Sequence, residues 1–158
     1  MPAPRTYRAR VDSGRLQAFE VTVKETDLHV QACGDLRAVT REMVLEQRGY
    51  IEAYIRRHPG FTAALAPWPL EAPAPNIVCD MAAAGRAAGV GPMAAVAGAV
   101  AEHVGRGLLA HSDEVIVENG GDIFLRTAHP ATIAVFAGDS PLSLRIGLRT
   151  GGGNDPIG

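Results

Sequence analysis

Across residues 92–104 the chain carries almost no side-chain bulk. Val96, Val100 and Val104 recur at i,i+4 with Met93 and Ala97 beside them, while Ala94, Ala95, Gly98, Ala99 and Ala101 fill most of the other positions. Apolar residues at that spacing form one face of a helix. A helix clothed mainly in methyl groups and hydrogens approaches its neighbours closely. The segment therefore predicts a deeply buried helix lying against a sheet. Pro92 opens it, since the N–H that proline lacks would be unpaired at a first helical position anyway. Gly105 and Gly107 stand near its end.

The flanking segments supply the sheet. Tyr7, Ala9 and Val11 alternate with Arg8 and Arg10, and Asp12-Ser13-Gly14 is turn chemistry. Residues 16–24 alternate again, with Phe19, Val21 and Val23 on one face. Glu25-Thr26-Asp27 reads as a turn and residues 28–32 as a third strand, giving an antiparallel meander with one wet face. Asp35 is suited to cap a long helix over residues 36–58, whose apolar positions include Leu36, Val39, Met43, Val44, Ile51, Tyr54 and Ile55. Arg56, Arg57 and His58 suit its C-terminal end, and Pro59 stops it. Arg41, Arg48 and Arg56 read as a solvated face. Residues 61–65 suit one helical turn.

Pro67, Pro69, Pro73 and Pro75 surround Trp68 in an ordered crossing. A short alanine-rich helix over residues 77–88 follows, broken by Gly89-Val90-Gly91. Beyond the small-residue helix, residues 114–118 and 122–126 read as strands joined by a reversal at Asn119-Gly120-Gly121. Residues 131–137 suit a central strand, and residues 143–150 an alternating one. Strands, then helices, then strands predict an α+β fold, with helices packed on a mostly antiparallel sheet. The expected organisation is one domain over residues 1–158, with subdomains 1–66 and 76–158 joined by the proline-rich 67–75.

Composition narrows the function classes. A chain of 158 residues with 47% hydrophobic and 20% charged residues has ordinary globular composition. The net charge of −2 comes without a basic stripe, which argues against nucleic acid as a partner. No secretory h-region or long apolar run is evident, which argues against a membrane partner and for a cytoplasmic location. Cys33 and Cys79 share no metal-ligand spacing and read as reduced thiols. The five histidines are scattered without i,i+4 pairing.

Two segments are suited to chemistry. At Gly89-Val90-Gly91-Pro92-Met93-Ala94-Ala95, glycines permit close backbone approach. The N–H groups of Met93, Ala94 and Ala95 would sit at the positive end of a helix, where a phosphate binds. A plain break between two buried helices accounts for the same residues. At Glu118-Asn119-Gly120-Gly121-Asp122, paired carboxylates bracket two glycines; they suit a metal, ribose hydroxyls or a flavin edge, or simply a tight hairpin.

Together, residues 90–102 and 117–123, with Glu25-Thr26-Asp27-Leu28, His58-Pro59-Gly60-Phe61 and Ala137-Gly138-Asp139-Ser140-Pro141-Leu142, resemble an uncharacterised cytosolic branch of the FAD:protein FMN transferase (ApbE-like) superfamily. The resemblance implies a flavin or nucleotide ligand, with FAD as cofactor and magnesium as the metal that helps split it. FMN would then pass to a threonine of an acceptor protein. By the same resemblance, Gly98 and Glu102 match helix positions occupied by Gly and Asp in the transferases, and Asn119, Gly120, Gly121 and Asp122 match their Gly-Gly-Asp turn. The implied cofactor-binding set is Gly91, Met93, Ala94, Ala95, Gly98, Glu102, Asn119, Gly120, Gly121 and Asp122. Ala97 stands where those enzymes usually have lysine. The transferases' metal-binding Asp and Thr and their His-containing motif lie beyond the glycine-rich residues 151–158, so the resemblance implies a truncated, inactive chain with an incomplete metal site. The alternatives are a non-catalytic flavin or nucleotide binder and a ligand-free subunit of a homo-oligomer.

Overall fold

A computed structural model describes residues 15–158. The strand expected over residues 7–11 and the turn at Asp12-Ser13-Gly14 lie outside the described residues. The elements run β1 (Gln17–Val23), β2 (Thr26–Ala32), α1 (Arg37–Arg57), α2 (Asn76–Ala88), α3 (Val96–Leu108), β3 (Val115–Asn119), β4 (Asp122–Arg126), β5 (Thr132–Ala134) and β6 (Gly147–Arg149). The fold is α+β. The strands β1-β2-β3-β4 form an antiparallel sheet in that order, and β5 pairs with β6 in a separate two-stranded sheet.

Alternation decides which strand residues meet the helices. Phe19, Val21 and Val23 of β1 are buried, whereas Ala18, Glu20 and Thr22 are exposed. The register sets Phe19 opposite Val30 and Val21 opposite Leu28, and continues the row to Val117. This row packs under α1 and α3. The wet face expected across the meander holds for β1 but not for β2, where His29 and Gln31 are also buried. As an inner strand, β2 is flanked on both sides, with Gln31 between Ala18 and Ile116.

The long helix forms as its apolar stripe dictates, with Thr40, Val44, Ile51 and Tyr54 buried. It starts one residue later than expected. Leu36 occupies the cap position, and the Asp35 carboxylate accepts the Arg37 N–H at 3.1 Å from one residue further out. The turn expected over residues 61–65 is a 3-10 turn at Pro59–Phe61. Trp68 closes the same end of the core. Its ring meets Phe61 edge-on, and its Nε1–H donates to the Tyr54 hydroxyl at 3.2 Å. That bond satisfies the one polar atom of an otherwise fully buried tyrosine, a net gain of about 1 kcal/mol.

The small-residue segment is divided. Pro92–Ala95 is a 3-10 turn, and α3 proper begins at Val96. Two of its glycines are required by packing. A Cβ on Gly105 would fall inside the Phe124 ring, and one on Gly91 would collide with the Ala64 carbonyl. The apolar run at 131–137 is corrected from a central strand to the three-residue β5, partly exposed in its small sheet. The alternating segment that follows contributes only the exposed β6. Among the described residues no single helix is long and apolar enough to cross a membrane.

Candidate functional site

The β3–β4 connection is the tight hairpin its sequence demands. Asn119 pairs with Asp122, leaving Gly120 and Gly121 as a two-residue loop at φ 64° and 109°. Positive φ at both positions is what selects glycine there. The Gly121 N–H donates to Glu118 Oε1 at 2.8 Å, so this buried carboxylate braces its own turn. Asn119 Nδ2 donates to the Ala97 carbonyl at 3.0 Å and ties the end of β3 to the start of α3.

Asp122 is exposed and lies over Gly98, where a Cβ would be 3.7 Å from its Cγ. Glu102, one helical turn beyond Gly98, pairs with Arg106 at 2.7 Å. The structure thus brings Gly98 and Asp122 together where α3 meets the hairpin, with Glu102 one turn further along the helix. Gly91, Ala94 and Ala95 belong to the segment that precedes α3. Gly91 is packed against Ala64, and the Ala94 N–H already donates to the Gly91 carbonyl at 3.2 Å. Because the 3-10 turn precedes the helix, residues 93–95 are not the first turn of α3.

A cleft of about 330 Å³ opens on a different side of α3. Its walls are Ile51 and Ile55 of α1, Met93 of the 3-10 turn, and Val96, Ala97 and Val100 of α3. Its polar end is formed by Glu25 and Thr26 at the β1–β2 turn, Arg48 and Glu52 of α1, and Asn119 of β3. Of the residues expected to form a site, Met93 and Asn119 line this cleft, and the others do not.

Arg48 organises the polar end. Its Nη1 donates to Thr26 Oγ1 at 2.8 Å, and its Nη2 donates to Glu25 Oε2 at 2.8 Å and Glu52 Oε1 at 3.1 Å. The side chain is only 17% exposed, against 83% for Glu25 and 38% for Glu52. This corrects the expectation of a solvated Arg48, whereas Arg41 and Arg56 are indeed exposed. Lys24 joins from the turn, its Nζ 3.0 Å from Glu52 Oε1. Lys24 sits at φ 52°, a left-handed conformation that costs a non-glycine residue about 1 kcal/mol or more. The turn's own backbone hydrogen bond and then Arg48 hold the Glu25 carboxyl below its ordinary range. The hydrogen bond and charge of Lys24, and then Arg48, do the same for Glu52, with partial burial opposing them. Sequence reasoning missed Glu25, Thr26, Arg48 and Glu52. A signal was present: Arg48 interrupts the stripe of Val44, Ile51 and Ile55 at i−4, i+3 and i+7, where a solvated arginine does not belong.

Among the described residues no group of three or more His, Cys, Asp and Glu side chains is placed to hold a metal ion. A close polar pair outside the cleft, His103 Nε2 with Asp80 Oδ2 at 2.7 Å, ties α3 to α2.

A family model described as AbpE bacteria matches residues 8–158. A UPF0280 protein of Methanocaldococcus jannaschii is 40% identical over 131 residues, which cover 82% of this chain and 52% of that protein. A UPF0280 protein of Methanococcus aeolicus is 35% identical over 132 residues, 82% of this chain and 53% of that protein. A third, from Methanosphaerula palustris, is 41% identical over 110 residues, 68% of this chain and 46% of that protein. The chain spans about half the length of the curated relatives it matches. These matches correct the assignment to the ApbE-like FMN transferases. They point to UPF0280 proteins, and neither they nor the family description indicates flavin, FAD, magnesium or FMN transfer. The physical reason for the misassignment lies in the motifs that carried it. The Gly-Gly turn is demanded by positive φ, and Gly91 before the small-residue helix by its packing against Ala64, so both are signatures of a fold before they are signatures of a ligand.

Proposed function

The chain belongs to the AbpE bacteria family, and within it we propose that the chain binds a small molecule in the cleft between α1 and α3. The observation that carries this reading is the pairing of an apolar cleft of about 330 Å³ with a largely buried arginine at one end. Concave apolar sites with a few convergent polar groups are the usual form of small-molecule sites, and this volume lies at the lower end of their range of about 300–1,000 Å³. The ligand is therefore compact. Its apolar body packs on Ile51, Ile55, Val96 and Val100, and its polar end meets Arg48 and Asn119. A cytoplasmic location belongs to the same reading, supported by two cysteines that are free thiols, the state a reducing compartment maintains.

The test is a thermal-shift screen of small molecules against the chain and an Ala97→Phe variant, whose added ring fills the cleft. A ligand bound only to the folded state raises Tm by mass action. Compounds that occupy the cleft raise Tm in the unmodified chain and lose that effect in Ala97→Phe. Compounds that act equally on both bind elsewhere, and a screen yielding only those sinks the proposal.

A further inference from the structure

The polar end of the cleft carries a more specific inference, resting on the reading that the cleft binds a small molecule. We infer that the ligand is an organic anion whose carboxylate takes the place of Glu25 on Arg48. Three observations converge. First, Arg48 Nε is buried and has no hydrogen-bond acceptor, while Nη2, the other nitrogen of that edge of the guanidinium, donates to the exposed Glu25 and to Glu52. A carboxylate placed along that edge would accept from Nε–H and Nη2–H together, the bidentate fork that arginine forms with carboxylates. Second, Glu25 is the most readily displaced member of the network. It is 83% exposed, and among the described residues its ion-pair partner is Arg48 alone. Releasing an exposed carboxylate into water sacrifices little. Third, Glu52 is committed to both Lys24 and Arg48, so a cationic ligand would have to compete for a carboxylate that already has two partners. With Glu25 swung out, Lys24, Arg48 and Glu52 leave one positive charge uncompensated at the end of an apolar cleft. Glu25 thus acts as a built-in competitor that occupies the anion position when the ligand is absent.

The experiment titrates isotope-labelled chain with hexanoate, hexanamide and hexylamine, and follows the backbone amides of Thr26, Ile51 and Asn119. Hexanoate is expected to perturb these amides at lower concentration than hexanamide. Glu25→Gln is expected to lower the hexanoate Kd about fivefold, the worth of a removed surface competitor, and to leave the hexanamide Kd unchanged. Arg48→Lys keeps the charge but not the fork, and removes most of the preference for hexanoate. If that variant does not fold, the Glu25→Gln result decides alone. Equal Kd values for hexanoate and hexanamide, or a hexanoate Kd unmoved by Glu25→Gln, overturn the anion inference and leave the cleft occupied. A preference for hexylamine that Glu52→Gln abolishes overturns it in favour of a cation. If none of the three probes perturbs these amides, both the inference and the cleft reading fail.

Discussion

Two glycines about two turns apart on α3 have opposite roles. Gly105 is fixed by its neighbour, since any Cβ there would enter the Phe124 ring. Gly98 is not so constrained, because a Cβ there would sit 3.7 Å from Asp122 Cγ, an ordinary contact. Gly105→Ala is expected to destabilise the fold by about 1–3 kcal/mol through overpacking. Gly98→Ala is expected to be neutral or to stabilise it by up to about 1 kcal/mol, since alanine is the better helix former. Urea unfolding of the two variants separates these outcomes. Loss of stability in Gly98→Ala would mean that Asp122 is pinned over the helix more rigidly than its exposure indicates. The distinction is invisible in a sequence, where both positions are simply glycines in a helix of small residues.

At the scale of elements, the ion pairs of Arg48 and Lys24 fasten α1 to the β1–β2 turn. Glu25 and Glu52 both titrate below the ordinary value of 4.5 in the folded chain. A carboxyl whose folded pKa is depressed binds its proton more readily in the unfolded state. Its stabilisation is therefore fully present above the unfolded value and is lost as pH falls through the folded one. The stability difference between the unmodified chain and Arg48→Met is expected to hold from about pH 7 to about pH 5 and to narrow below about 4.5. Denaturant unfolding across that range checks it, and a difference independent of pH would mean that Arg48 contributes through packing alone. Elements of this kind were unevenly legible. The α1 stripe, the Gly120-Gly121 reversal and the β1–β2 pairing follow from local periodicity and turn chemistry, and the structure reproduces them. The run at 131–137 misled because a short apolar segment looks the same in sequence whether a sheet surrounds it or not. The cleft was legible only in Met93 and Asn119. Its organising arginine meets a hydroxyl and a carboxylate, Thr26 and Glu25, from a turn more than twenty residues away; the interrupted α1 stripe marks Arg48 as unusual but does not name those partners.

The molecule as a whole divides into a well-buried body and a thinly supported edge. Leu28, Val30, Val117, Tyr54 and Val104 are fully buried between the four-stranded sheet and the helices. By contrast β6 is exposed along its length, and Leu142, Ile146 and Leu148 are 54%, 49% and 65% exposed. Opening free energy follows local burial and contact density, so a two-stranded sheet with little packed against it opens before the core does. Among the described residues β5 has a ladder only to β6, over three residue pairs. Hydrogen exchange followed by mass spectrometry is expected to show amides of 132–134 and 147–149 exchanging through local opening, insensitive to low urea. Amides of Val30 and Val117 should exchange only with global unfolding and follow its urea dependence. Substituting Leu148→Ser, at a position 65% exposed in the small sheet, should lower the unfolding free energy by no more than about 0.5 kcal/mol. If instead β5–β6 amides are protected to the global limit, or Leu148→Ser lowers stability sharply, this edge is covered in solution by another polypeptide surface. The exposed leucines would then be an interface.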